Sequence, residues 1–289
     1  MHSPKLDHQV ISDQDYFFNR MINLIYLCSL VLLSVSLYIR DSGATPPKHR
    51  IDLSSAYTSV DVGDWQMIAG SYTYQLPALT TGIATRVLRR DLPTYSPTDL
   101  SIQLPIYTAF GPLSLECWGE WSPDPVFVPQ YAIQVSPALR FSSILSALHL
   151  TYRYAEYAIA HAQLVTPGFT WSNPTLGWGV GGFLYVTIPE FGEVLYTPQL
   201  RIERLFSYFW RTELWITYGY ETLNDRFVDP TRQAPQISLY TQLKHLFSDY
   251  SGLNIGLAWV KFLPQTDQMA QERFNQDRLE VSIRTFYRF

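Results

Sequence analysis

The chain has 289 residues, long enough for one large domain or two ordinary ones. Aromatic residues make up 15% of it, while Asp, Glu, Lys and Arg together reach only 16%, against about 25% in an ordinary soluble domain. A formal net charge of -4 at pH 7 removes the cationic field that nucleic-acid binding needs, and a mean hydropathy of -0.04 excludes a bundle of membrane helices.

The first element is apolar. Residues 24–39 read LIYLCSLVLLSVSLYI, preceded by Arg20 and followed by Arg40 and Asp41. Sixteen residues are short of the roughly 20 a spanning helix needs. With small residues at Ser42 and Ala44, the segment reads as the core of a signal peptide cleaved after Ala44. The stretch before Arg20 is acidic where a signal sequence is basic, which makes Met21 a candidate start. Residues 1–44 are therefore expected to be leader and residues 45–289 the exported domain.

From Ile51 onward the pattern is alternation, punctuated by Pro, Gly, Asp, Asn and Ser. Segments begin near Ile51, Trp65, Gly82, Leu100, Pro112, Tyr131 and Leu145. They continue near Ala158, Thr175, Val194, Phe209, Pro235, Leu253 and Arg278. Strands of about 10 residues with alternating short and long connections are the layout of a transmembrane β-barrel. The longest connections, 224–234 and 265–277, are polar. Within segments the charges share one face: Arg201 and Glu203 oppose Leu200 and Ile202, while Arg211 and Glu213 oppose Trp210 and Leu214. Because Arg or Lys facing lipid at mid-bilayer costs about 2–4 kcal/mol, the charged face must turn to the lumen. Tyr and Trp near segment ends are then interfacial girdles. An open edge in hydrocarbon leaves backbone groups unpaired, so the sheet must close. The expected fold is all-β: a closed antiparallel transmembrane barrel of 12–14 strands, the weak segments near Ile51 and Pro112 setting that range. Pro105, Pro137, Pro167 and Pro198 each remove a ladder donor and are expected at rims or bulges.

The expected lumen carries cations at Arg86, Arg90, Arg140, Arg153, Arg201, Arg211, Lys244, Arg284 and Arg288, and acids at Asp52, Asp99, Glu116, Glu120, Glu203, Glu213, Glu221 and Glu280. Trp118, Trp215, His149 and His161 join them by parity. The signs nearly cancel, so strong ion selectivity is not indicated. Glu116 and Glu120 read as solvated lumen acids rather than a catalytic pair. The four His of the exported domain are too widely spaced for a metal site, and no cofactor is implied. In the final strand, Val281, Ile283, Tyr287 and Phe289 alternate with Ser282, Arg284 and Arg288. A last strand ending on Phe resembles the signal by which outer-membrane barrels are recognised for assembly.

Residues 84–91 (ATRVLRRD), 99–104 (DLSIQL) and 121–131 (WSPDPVFVPQY) resemble the YaiO family of outer-membrane β-barrel proteins. That family has an arginine-bearing third strand, an Asp opening the next, and an SP-D-x-x-F-P-x-Y-like turn. The resemblance implies an outer-membrane barrel linked to surface polysaccharide or envelope assembly, and brings no catalytic residues. The expected function is a non-enzymatic narrow channel or envelope-assembly component of a Gram-negative outer membrane. Its expected partners are outer-membrane lipid, the barrel-assembly machinery and polysaccharide-export proteins. The alternatives are a membrane-embedded hydrolase, for which His149 and His161 are the candidate bases, and a soluble periplasmic ligand-binding β-protein.

Overall fold

Fourteen antiparallel strands close into a ring in the computed structural model. The structure describes residues 48–59, 64–76, 79–91, 95–141, 146–158, 160–220, 235–263 and 278–289. The proposed leader, Glu221 and the two long polar connections fall outside these residues. The strands are β1 (His49–Ser59), β2 (Trp65–Gln75), β3 (Leu79–Arg90), β4 (Thr98–Phe110), β5 (Leu113–Trp121), β6 (Tyr131–Phe141) and β7 (Ser146–Glu156). They continue as β8 (His161–Asn173), β9 (Trp178–Pro189), β10 (Leu195–Leu205), β11 (Trp210–Tyr220), β12 (Pro235–Ser248), β13 (Ser251–Phe262) and β14 (Arg278–Arg288). Each pairs with its sequence neighbours, and β1 closes on β14. Both weak segments are strands, so the number is fourteen.

Turn chemistry explains the tight ends. Gly111, between β4 and β5, has φ +58°, and Gly177, between β8 and β9, has φ +65°, a region that penalises a Cβ. Asn173 Oδ1 accepts from the Leu176 amide at 3.0 Å, closing the second turn through its side chain. Connections from even to odd strands have two to four residues; those from odd to even have four or more, up to 221–234 and 263–277. The barrel thus has a short-turn end, where β1 begins and β14 finishes, and a loop end. Short turns at one end and longer loops at the other match the outer-membrane layout.

The outward face is what lipid requires. Its middle band is apolar and exposed, with Leu104, Ile133, Leu150, Leu200, Ile216 and Leu257. Among the described strand residues, the charges on this face are Arg89, Glu156, Arg204 and Lys261, each at or next to a strand end. Trp121, Tyr131, Tyr196 and Tyr218 ring the loop end, and Phe110, Phe141, Trp178 and Trp210 the short-turn end. Val281, Ile283 and Tyr287 face outward on β14. Phe289 exchanges two 2.9 Å backbone hydrogen bonds with His49, which sews the seam shut.

The prolines depart from expectation. Pro105, Pro137 and Pro167 lie inside β4, β6 and β8 rather than at rims, and no bulge accompanies them. Pairs drop out at each one, as between Thr81↔Ile106 and Ala84↔Gln103, yet the register resumes in phase. Each proline removes one donor on one side of the strand, so the loss stays local. At Pro198 the β9 ladder is unbroken, and pairing to β11 begins one residue later, at Gln199.

Inside the ring the two sides differ. At the loop end, Trp65, Met67, Leu88 and Ala56 pack with Val128 of the β5–β6 connection. Ala132, Ala155, Tyr157, Ala162, Leu164 and Tyr185 form a second apolar cluster, with Trp118 and Phe183 against it. These clusters occupy the lumen along β1–β9 as a core occupies a soluble protein. Beside β10–β14 no such cluster forms among the described residues.

Candidate functional site

The lumen is the candidate site, and its filled side is organised by the residues that carry the family resemblance. Asp99 opens β4 on the inward face, and its carboxylate accepts the amides of Val126 (2.8 Å), Phe127 (2.7 Å) and Val128 (3.0 Å). One buried carboxylate thereby folds the β5–β6 connection inward, and charge strengthens each bond. The Arg90 guanidinium stacks 3.8 Å from the Phe127 ring centroid and 4.3 Å from that of Trp65, which Arg278 also covers at 4.4 Å. Arg86 donates to Glu120 at 2.5 Å, and Arg153 lies 3.6 Å from the same carboxylate and 4.9 Å from the Trp118 ring centroid. The arginine-bearing strand, the opening Asp and the turn are therefore one device that packs this side of the lumen. Just past β7, burial pushes the Tyr157 phenol up to about 12 although Arg153 pulls it down, which keeps it neutral.

Two expectations change here. Glu120 is not a solvated acid: it is 3% exposed and held between two arginines, whereas Glu116, four residues before it, stays exposed. His161 does not face the lumen. It pairs with Glu156 in register, points outward, stacks on Tyr154 at 5.7 Å and meets Glu190 at 3.1 Å. Toward the loop end the inward residues of β8 are Ala162, Leu164 and Thr166, because the lumen here is packed as a core, and polar residues take the outer face at the rim. His149 does face inward, with Nε2 2.9 Å from Thr170 Oγ1. The two candidate bases of the hydrolase reading therefore lie on opposite faces of the wall.

The other side is open and charged. Glu213 is almost fully buried beneath Lys244 (2.5 Å), Arg201 (3.0 Å) and Arg211 (3.2 Å), and Glu203 takes Arg201 (3.2 Å) and Arg211. Asp52, from the opposite margin of the seam, accepts from Arg50 (2.7 Å) and Arg284 (2.9 Å). Glu280 sits nearer the loop end, 3.4 Å from Thr58 Oγ1. Arg140 projects toward the short-turn mouth, 3.4 Å from the Tyr107 hydroxyl. Signs that cancel along the sequence are thus unevenly placed. Near the short-turn mouth Arg50, Arg140, Arg201, Arg211, Lys244, Arg284 and Arg288 outnumber Asp52, Glu116, Glu203 and Glu213.

Between this charged mouth and the loop end lies a cavity of about 330 Å³ bounded by β9–β14 and β1. Tyr185, Gln199, Trp215, Tyr240, Gln242 and Asn254 line it with Ser54, Thr217, Ser238 and Ser282, and the charged Arg278, Glu280 and Arg284 bound it from β14. Most of these neutral groups were not among the expected site residues, because charge is the louder signal. Parity alone could have found them: Gln199 shares the face of Arg201, and Gln242 that of Lys244.

Fold and lumen together define an outer-membrane β-barrel. The chain is similar to a Pseudomonas aeruginosa FadL homologue, 9% identical over 83% of this chain and 90% of that one, with a TM-score of 0.53. It is similar also to a bacterial polysaccharide outer membrane secretin (9% identical, 85% and 100% covered, 0.51) and to the Acinetobacter baumannii outer membrane protein Omp33 (7%, 85% and 100%, 0.50). At such identities the likeness is one of fold. No protein-family model and no curated protein matches the chain.

Proposed function

We propose that this chain is a non-enzymatic channel of a Gram-negative outer membrane that passes small polar solutes along the open side of its lumen. The observation that carries the reading is the polar cavity of about 330 Å³, lined mostly by hydroxyls and amides with Arg278, Glu280 and Arg284 on its β14 side, between a packed wall and a cation-rich mouth. A lumen built only for stability has no reason to leave one wall open while filling the other. The leader at residues 1–44, the β14 assembly signal with its barrel-assembly machinery, and the lipid environment belong to the same reading. So do membership of the YaiO family and its polysaccharide-export partners, supported by the convergence of Arg86, Arg90, Asp99 and residues 121–131 on one device.

Planar-bilayer recording of the detergent-purified protein tests the proposal. Reproducible conductance steps are expected, with selectivity moving toward cations in Arg140→Glu. A protein that keeps a barrel's heat-dependent gel shift yet stays silent in the bilayer refutes it. Arg86→Glu is unsuitable as a probe, since it sets a second carboxylate against buried Glu120.

A further inference from the structure

We propose that the mid-lumen cavity is a binding subsite for a neutral polyhydroxylated solute, a sugar ring seated against Trp215 and Tyr240; this deepens the channel reading by naming its solute class. The two aromatic residues are direct cross-strand partners, their ring centroids 5.8 Å apart at 70°. Trp215 is pinned, its Nε1 donating to Glu213 at 3.2 Å. Tyr240 lies back over Gly256, where a Cβ would stand 2.7 Å from its hydroxyl and 3.1 Å from Cε2. The absent side chain therefore makes room for a ring against the wall. On the β9–β11 side of this corner the polar groups are neutral and two-sided, while Glu280 and Arg284 line the cavity from β14. Tyr185 Oη donates to Gln199 Oε1 at 2.9 Å, and Gln199 Nε2 donates to Thr217 Oγ1 at 3.1 Å, a ladder across three strands.

Chemistry then selects the ligand. A sugar offers a C–H face to an aromatic ring and hydroxyls that exchange hydrogen bonds with amides and hydroxyls, so no buried polar group is left unpaired. An apolar solute would desolvate the ladder without replacing its water. An anion meets the Glu280 carboxylate and cations already engaged, Arg284 with Asp52, Arg278 with the Trp65 ring and both Arg201 and Lys244 with Glu213. At about 30 Å³ per water the cavity holds the volume of roughly ten waters, which suits a sugar ring or a short saccharide rather than a polymer coil.

The test is isothermal titration calorimetry of the detergent-solubilised full chain with maltotriose as the neutral probe and glucuronate as the charged one. Saturable maltotriose binding is expected, weakened about tenfold or more in Trp215→Ala, Tyr240→Ala and Gly256→Ala. Tyr240→Phe should retain it, as should Met67→Leu in the packed wall, with the heat-dependent gel shift confirming that each variant is folded. Absent or non-saturable maltotriose binding, tighter glucuronate binding, or insensitivity to all three damaging substitutions overturns the inference. Conductance recorded on the same preparations separates the two proposals. Steps without sugar binding leave the channel standing and remove the subsite, and binding without steps does the reverse.

Discussion

The two sides of the lumen solve different problems with the same strand geometry. Along β1–β9 the inward positions toward the loop end hold Trp65, Met67, Leu88 and Leu164, and charge among them is enclosed, as at Glu120, while Glu116 and Arg140 stay exposed nearer the short-turn mouth. Along β10–β14 the inward positions hold Arg, Glu, Gln and Tyr around an open cavity. A barrel need not be uniformly open or uniformly packed. One arc anchors the ring, and the opposite arc is left free to do something else.

That contrast breaks if substitutions on the two arcs cost the same. Glu120→Ala leaves Arg86 and Arg153 enclosed without a counter-charge and is expected to destabilise by about 3–5 kcal/mol. Gln242→Ala on the open arc should stay within about 1 kcal/mol. The midpoint of the gel-shift transition in urea measures both, and equal losses would dissolve the distinction. A second comparison sharpens it: Leu150→Arg and Leu239→Arg, on the lipid faces behind the packed and the open arc, should each cost about 2–4 kcal/mol. Matching values would show that the asymmetry is confined to the interior. Asp99→Ala removes three charge-assisted bonds and is expected to cost about 2–3 kcal/mol. It should also admit protease to residues 122–130 and enlarge the conductance step; an unchanged step would mean that this connection does not narrow the pore. The smallest effect on stability is expected of Arg140→Glu, within about 1 kcal/mol, read instead as a reversal-potential shift toward cations across a salt gradient.

The same contrast explains what the sequence discloses. Where the lumen is open, charge marks the inside and apolar residues mark lipid, so β10, β11 and β14 are legible residue by residue, as Arg201 against Leu200 shows. Where the lumen is core, both faces are apolar and the code loses its reference. On β8 it inverts, Ala162 and Leu164 pointing in while His161 and Gln163 point out, which is why His161 is misplaced by parity. The prolines mislead for another reason, since a missing donor says nothing of whether the neighbouring ladder can absorb the loss. Enclosure of Glu120 is equally invisible, because Arg86 and Arg153 reach it from strands on either side of β5.

The seam between β1 and β14 carries a consequence for the order of events in folding. Every other pairing joins strands adjacent in the chain, so hairpins can accrete one after another with only modest loop-closure entropy. The last pairing joins Asp52 to Arg284 and His49 to Phe289, across nearly the whole described chain. Until it forms, the growing sheet carries two unsatisfied edges into a solvent that offers no hydrogen bonds. Cutting a loop leaves the ring of pairings complete, whereas removing the final strand reopens both edges at once. The ring of strands is topologically a circle cut at one point, and its first and last strands hold that point closed.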